Sequence, residues 1–447
     1  MSQSRRWWAL VVLAAAQFMV IMDTSIIGVA LPEMQRDLGF SQGGLQWVFN
    51  AYVVAFGGLL LLGGRLSDLF GARRIFSTGW VILTAGSVVA AAAGTAWVEI
   101  LGRAVQGVGG ALIAPAAMTL LMTLFGSDQR ELGKAMALYG AAAPAGGTAG
   151  VFLGGVITEW LSWPWVFIVY IPIGLITLAA IPALLPATQG RRGSVDVLGA
   201  VTVTGGIALA VYAIVQAAER APLAEAAAAI VLLAVFLIRQ RGAREPLMPL
   251  RIWRTPGLAP ANLAMALLGA AWIPMWYFLN LFLQQGLGYG AFASGAALLP
   301  MTVTVMIFMI GITARLLGRF GAKPLIVLGL GVLAVGVGGL AFSGSAFLPA
   351  SLVSAVGMSL AYIPAMMSAL SGVAPEESGL ASGIVNTTYN VGSALGLAIM
   401  TAIATSREDG FDAAFVGAGV VAAVGALLTL ALMRRPARVP QEPAAQV

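Results

Sequence analysis

Apolar residues along this chain neither alternate with polar ones nor recur at helical spacing. They run together in blocks of about 20 residues, separated by short polar or basic turns. A block of that length crosses roughly 30 Å of hydrocarbon as a helix, and in lipid only helices or closed barrels satisfy their own backbone. The pattern predicts spans at 7–31, 44–65, 76–97, 98–124, 134–159, 163–187, 197–217, 224–241, 257–284, 291–315, 324–343, 347–372, 380–405 and 412–434. The fold class expected is an all-α membrane protein of fourteen transmembrane helices. The first block follows Arg5 and Arg6 but is too long for a secretion signal, carries Asp23 and leads into further spans rather than a cleavage site.

Composition agrees with lipid as the solvent. The 447 residues are 60% hydrophobic and 9% charged, with a mean hydropathy of +0.93, whereas soluble domains hold roughly 25% charged residues. The 56 glycines suit helices that approach closely in a bilayer. Cysteine and histidine are both missing from the sequence, which excludes thiolate nucleophiles, disulfides, imidazole metal sites and histidine proton relays. Proton chemistry is left to carboxylates, and neither metal nor cofactor is expected.

The formal net charge of +6 reads as topology rather than nucleic-acid binding, because the basic residues sit in short loops. With the N-terminus inside, the cytoplasmic segments hold Arg5, Arg6, Arg65, Arg73, Arg74, Arg130, Lys134, Arg191, Arg192, Arg239, Arg241, Arg244, Arg251, Arg254, Arg315, Arg319, Lys323, Arg434, Arg435 and Arg438. Only Arg36, Arg220 and Arg407 fall outside, and Arg103 lies within a span. Both termini are therefore expected in the cytoplasm, on a multi-pass protein of the inner (plasma) membrane.

Three internal matches share one offset of 250 positions, the mark of a duplicated transporter half. Arg65-Leu-Ser-Asp-Leu-Phe-Gly71 is echoed by Arg315-Leu-Leu-Gly-Arg-Phe-Gly321; GVGGALIAP from Gly107 is echoed by GMSLAYIPA from Gly357; and Gly133, Tyr139 and Gly146 answer to Gly383, Tyr389 and Gly396. The expected organisation is a six-helix bundle in 1–187, two additional helices with a cytoplasmic linker in 188–256, and a second six-helix bundle with a short tail in 257–447. A substrate path would lie between the bundles.

The turn Gly64-Arg65-Leu-Ser-Asp68-Leu-Phe-Gly71-Ala-Arg73-Arg74 resembles the signature loop of the major facilitator superfamily. Met22-Asp23-Thr24-Ser25-Ile-Ile-Gly28-Val-Ala-Leu-Pro32 is similar to the first-helix motif of its fourteen-helix drug:proton antiporters. Trp47 and Tyr52, Arg103-Ala-Val-Gln106-Gly107-Val-Gly109, the Trp163–Gly174 stretch and Gly379-Leu-Ala-Ser-Gly383 match further positions of that family. The likeness spans essentially the whole chain. Departures are Gly28 for a common Asn, Val151 where a Gly-Pro pair is usual, Pro164 for Arg and Tyr170 for Asn.

Asp23 is the carboxylate placed well inside a span, ~24 Å along its helix from the cytoplasmic end, and Arg103 lies at a similar depth, ~22 Å from the inner surface. Charges facing lipid are costly, so both should face the interior. They form either a static pair that locks helix packing or a proton-coupling site in which Asp23 takes up and releases a proton. Arg65, Asp68, Gly71, Arg73 and Arg74 read as positive-inside anchoring, or, by the resemblance, as a cytoplasmic gate. On the fifth helix, Pro144, Gly146, Gly150 and Gly154 offer a smooth packing face or a hinge. Candidate substrate contacts are Gln17, Thr24, Asn50, Tyr170, Trp276, Tyr277, Asn280, Tyr362, Asn386 and Tyr389, a mostly apolar, aromatic set suited to hydrophobic or amphipathic molecules.

No GxxxxGK[ST] loop is present, so ATP is not expected to drive the protein. The reading is a monomeric, proton-coupled exporter of small organic compounds, drugs, antibiotics or metabolites, working by alternating access, with protons, substrate and the bilayer as partners. An importer or lipid-related facilitator of the same fold is the alternative, and a non-transporting sensor a more distant one. An intramembrane enzyme lacks its catalytic pair, so no enzymatic activity is expected.

Overall fold

The computed structural model describes residues 3–188, 190, 194, 196–216, 222–243, 246–371, 373, 378–407 and 409–433. The C-terminal tail with Arg434, Arg435 and Arg438, the loop arginines Arg191, Arg192, Arg220 and Arg244, and the side chains of Arg130 and Pro144 lie outside the described residues. The described residues contain helices and no strand.

The first six helices are α1 (Gln3–Leu38), α2 (Gln42–Phe70), α3 (Ala72–Ala91), α4 (Ala96–Phe125), α5 (Gln129–Trp160) and α6 (Trp165–Leu184). Two helices follow, α7 (Val197–Gln216) and α8 (Leu223–Gly242). The remainder is α9 (Leu258–Leu281), α10 (Ala291–Ile307), α11 (Ala322–Leu340), α12 (Phe347–Leu370), α13 (Ser378–Thr405) and α14 (Gly410–Leu432). α9 continues through a π turn, Phe282–Gly286, and α10 through another, Phe308–Ile312, into Thr313–Phe320. Among the described residues, twelve of these helices are long and apolar enough to span a bilayer. The predicted spans 291–315 and 380–405 fall on α10, whose regular part is 17 residues, and on α13, whose apolar run is diluted by Asn386, Thr387, Thr388 and Asn390.

Helix ends follow local chemistry. Ser41 caps α2, its Oγ accepting from the Gly44 N–H at 2.9 Å. The turn from α2 into α3 needs a left-handed residue, and Gly71 supplies it at φ 89°. Its counterpart 250 positions later, Gly321, stands at φ 78° between the extended α10 and α11.

The packing repeats in the same way. α1 packs on α5, α2 and α3 on α4, and α3 on α6; α9 packs on α13, α10 and α11 on α12, and α11 on α14. The halves meet crosswise, α5 on α10 and α2 on α13, pairs that exchange under the same offset. α7 and α8 pair with each other, with α7 lying against α2 and α13. Small residues permit these approaches. A Cβ at Gly146 would strike the Phe18 carbonyl, and one at Gly150 or Gly154 would lie 2.8 Å and 2.7 Å from the Met22 and Ile26 carbonyls, so the α5 glycine row is moulded to successive turns of α1.

Candidate functional site

α1 and α4 bring the two intramembrane charges together. Asp23 is 1% exposed and Arg103 fully buried. The Arg103 Nη1 donates to Asp23 Oδ2 at 2.7 Å and to Gln106 Oε1 at 2.7 Å, and Nε donates to the Val48 carbonyl of α2 at 2.9 Å. Gln106 in turn donates to Ser87 Oγ of α3 at 2.8 Å. The guanidinium lies 4.7 Å over the Tyr52 ring and 5.9 Å from the Phe167 ring, a face on which arginine charge is well accommodated. Four helices and α6 thus converge on one cation.

The network is incompletely paired. Asp23 Oδ1 and Arg103 Nη2 are buried without a hydrogen-bond partner, as is the Tyr170 hydroxyl. Tyr170, grouped by sequence with the substrate contacts, lies close enough to interact electrostatically with Asp23 and Arg103. A second buried carboxylate, Glu99, corrects the expectation that Asp23 stands alone. It is fully buried in the first turn of α4, and both its oxygens lack partners. A first-turn acid at the end of a predicted span looks solvent-facing; the neighbouring helices cover it, which depth along one helix cannot show. Tyr52 and Gln106, quoted only as motif residues, also belong to this cluster.

The other candidates divide. Trp276 and Asn280, one turn apart on α9, face α1: a Cβ on Gly28 would strike the Trp276 ring and lie 3.3 Å from Asn280 Nδ2. This accounts for glycine where the family has Asn. Further along, the π turn presents two consecutive glutamines to α1, Gln284 Nε2 donating to the Val29 carbonyl and Gln285 Nε2 to Gln35 Oε1, both at 3.1 Å. At the same end Phe292 stacks on Trp160 of α5 at 5.7 Å, and its N–H donates to Glu159. The halves are therefore closed over the end of α1 near residues 28–35.

Tyr362 and Tyr389 form an edge-to-face pair at 5.5 Å, linking α12 and α13. Gln17 accepts from the Tyr139 hydroxyl at 3.0 Å; Thr24 donates to the Ile21 carbonyl of its own helix; Asn50 donates to Gln46 Oε1 at 3.4 Å. Tyr277 is buried, and Asn386 is half-buried on α13. A cavity of about 340 Å³ lies between Val203 and Ile207 of α7, Leu233 and Phe236 of α8, and Thr387 and Val391 of α13.

In the signature turn, Arg73 Nη1 donates to the Leu185 carbonyl at 3.3 Å and its backbone N–H to Thr188 Oγ1 at 3.2 Å; Arg65 Nε donates to the Ser194 carbonyl at 3.2 Å. Gly71 abuts the Thr188 carbonyl, where a Cβ has no room. Asp68 and Arg74 are exposed. The turn is tied to the segment that follows α6.

The model of the Major Facilitator Superfamily matches residues 13–397 and 314–447. The chain belongs to this superfamily. Among related major facilitators, the cephamycin export protein CmcT of Amycolatopsis lactamdurans is 38% identical over 446 residues, covering 94% of this chain and 91% of that protein. The puromycin resistance protein pur8 of Streptomyces alboniger is 36% identical over 418 residues, covering 90% and 82%. The fold of this facilitator also matches the nucleoside transporter NupG, with a TM-score of 0.68 at 13% identity over 96% of this chain and 99% of that one.

Proposed function

We propose that this facilitator exports small hydrophobic or amphipathic organic compounds, antibiotics among them, across the inner membrane in exchange for protons, as a monomer with both termini in the cytoplasm. The observation that carries the reading is the buried Asp23–Arg103 pair, held by four helices and left with unpaired polar atoms. A fully satisfied pair would serve as a static lock; a partly satisfied one can exchange partners, since a proton on Asp23 removes the charge that holds Nη1. The similarity to a cephamycin exporter and a puromycin resistance protein supports the cargo class.

Fourteen crossings, two six-helix units in 1–187 and 257–447, and additional helices in 188–256 form the framework of this reading. Substrate binds between the halves near Trp276, Asn280, Tyr362 and Tyr389. Protonation of Asp23 loosens Arg103, and the contacts of α1 with α9 and of α5 with α10 part to open the outer end. Arg65, Asp68, Gly71, Arg73 and Arg74 steady the cytoplasmic end. The α5 glycines maintain contact with α1 rather than act as a hinge, a role supported by the carbonyls packed against them.

The test is efflux in a pump-deficient host. Wild type should lower susceptibility to puromycin or a cephamycin and Asp23→Asn should not; equal protection by both removes the coupling role. A facilitator of lipid-like cargo is favoured by one observation, the apolar cavity between α7, α8 and α13. Transport that ignores an imposed pH gradient in vesicles would select it.

A further inference from the structure

Glu99 has no part in the coupling scheme above, yet it adjoins the coupling pair. It lies four residues before Arg103 on α4, one turn and about 6 Å of helix rise towards the end at residue 96. Its carboxyl is fully buried, and neither oxygen has a hydrogen-bond partner among the described residues. The charged groups that face it are Arg103 on its own helix and Asp23 on α1. The phenols of Tyr52 on α2 and Tyr170 on α6 complete the surroundings of that pair. One guanidinium thus faces two carboxyls, of which only Asp23 receives a donor. Ionising both would leave Glu99 a bare buried charge, a cost that proteins avoid by keeping such a group neutral. One proton shared by the two carboxyls makes the cluster neutral.

Resting on the proton-coupled reading, we propose that Glu99 is a second proton-carrying group of the coupling site, holding the exchangeable proton while Asp23 is paired with Arg103 and passing it to Asp23 when that pair opens. In the transfer the O–H bond on Glu99 breaks and one forms on an Asp23 carboxylate oxygen. Glu99 becomes the carboxylate and takes over the guanidinium, whose Nη2 has no other partner. Total charge is unchanged. Glu99 lies towards the end of α4 assigned to the exterior, so it is the group loaded from outside and Asp23 the group that meets the substrate path.

The proton itself is the probe. Purified full-length protein in lipid nanodiscs is followed by infrared absorption of the protonated-carboxyl C=O stretch, in wild type, Glu99→Gln, Glu99→Asp and Asp23→Asn. Wild type is expected to show a buried protonated carboxyl at neutral pH. The band disappears in Glu99→Gln and shifts in Glu99→Asp, which covers a failure of the first variant to fold; in Asp23→Asn it weakens, because Glu99 is then the one carboxyl left to balance Arg103 and ionises. No such band in wild type, or a band unchanged by both Glu99 substitutions, overturns the assignment, as does a band lost only in Asp23→Asn. The exporter reading is tested separately by efflux in Asp23→Asn, so the two can fail independently.

Discussion

Arg103 shows how one side chain can organise a membrane interior. Its bonds to Asp23, Gln106 and the Val48 carbonyl join α1, α2 and α4, and Gln106 extends the network to Ser87 on α3. Asp23→Asn keeps the shape of the site but removes the titrating group; pH-gradient-driven uptake into inverted vesicles should fall to that of vesicles without protein, while substrate exchange at equal pH persists. Gly28 makes a second, steric prediction. Gly28→Asn pushes against Trp276 and should lower export and thermal stability by preventing closure over that end of α1. Trp276→Ala in the same chain removes the clash and should recover the thermal stability lost in Gly28→Asn, a coupling of roughly 0.5–3 kcal/mol between touching residues, read as the midpoint of the double variant against each single one.

At the scale of the helix, small residues decide what can approach. Gly150 packs on the Met22 carbonyl, so Gly150→Leu should destabilise the α1–α5 contact by about 1–3 kcal/mol or more. Gly140 on the same helix has open space where a Cβ would stand, and Gly140→Ala should raise stability in detergent by about 0.5–1 kcal/mol. The α7–α8 pair is fastened at one end by Asp196. Its carboxyl caps α7 through the Gly199 N–H at 3.0 Å and takes donors from Arg239 Nε at 3.2 Å and Gln240 Nε2 at 2.8 Å. Burial alone would raise its pKa, but the Gly199 N–H, Gln240 and Arg239 together hold it below the ordinary 3.8. A carboxyl whose pKa is lowered by folding stabilises fully above its unfolded value, and that contribution is lost as pH falls through the folded one. Asp196→Asn keeps a capping oxygen but loses the charge facing Arg239, and should therefore lower stability at neutral pH by roughly 0.2–1 kcal/mol, the range of a partly exposed ion pair. The difference from wild type should shrink below about pH 4, where an ordinary aspartate takes up its proton.

For the whole molecule, two like halves meet crosswise, and the contacts of α1 with α9 and of α5 with α10 close one end. Opening that end requires Gln285 to leave Gln35. With no cysteine in the sequence, Gln35→Cys with Gln285→Cys can be joined by a thiol-reactive cross-linker with a reducible spacer, since glutamines that touch at their tips hold the backbones too far apart for a direct disulfide. Cross-linking should stop transport and reduction of the spacer should restore it, whereas full transport by the cross-linked protein would show that these two residues need not separate.

The residues by themselves determined the solvent, the class and the repeat. Blocks of about 20 apolar side chains with few charges are buried in lipid, and a block of that length satisfies its own backbone there as a helix, so the helices lie where the hydropathy places them. The offset of 250 that pairs Gly71 with Gly321 is written in the sequence, and their shared left-handed backbone and the matching helix contacts follow from it. The Asp23–Arg103 pairing was also legible, because two intramembrane charges of opposite sign at one depth have few alternatives to each other. The rest depended on what packs around each residue. Glu99 reads as a surface acid in a helix first turn until neighbouring helices cover it. Gly28 reads as a loss of polarity until Trp276 occupies its place. Tyr170 shows its place beside the charge pair only once the helices are assembled. Periodicity and depth describe a helix one at a time; burial and partnership are properties of several helices at once, and only the tertiary structure decides them.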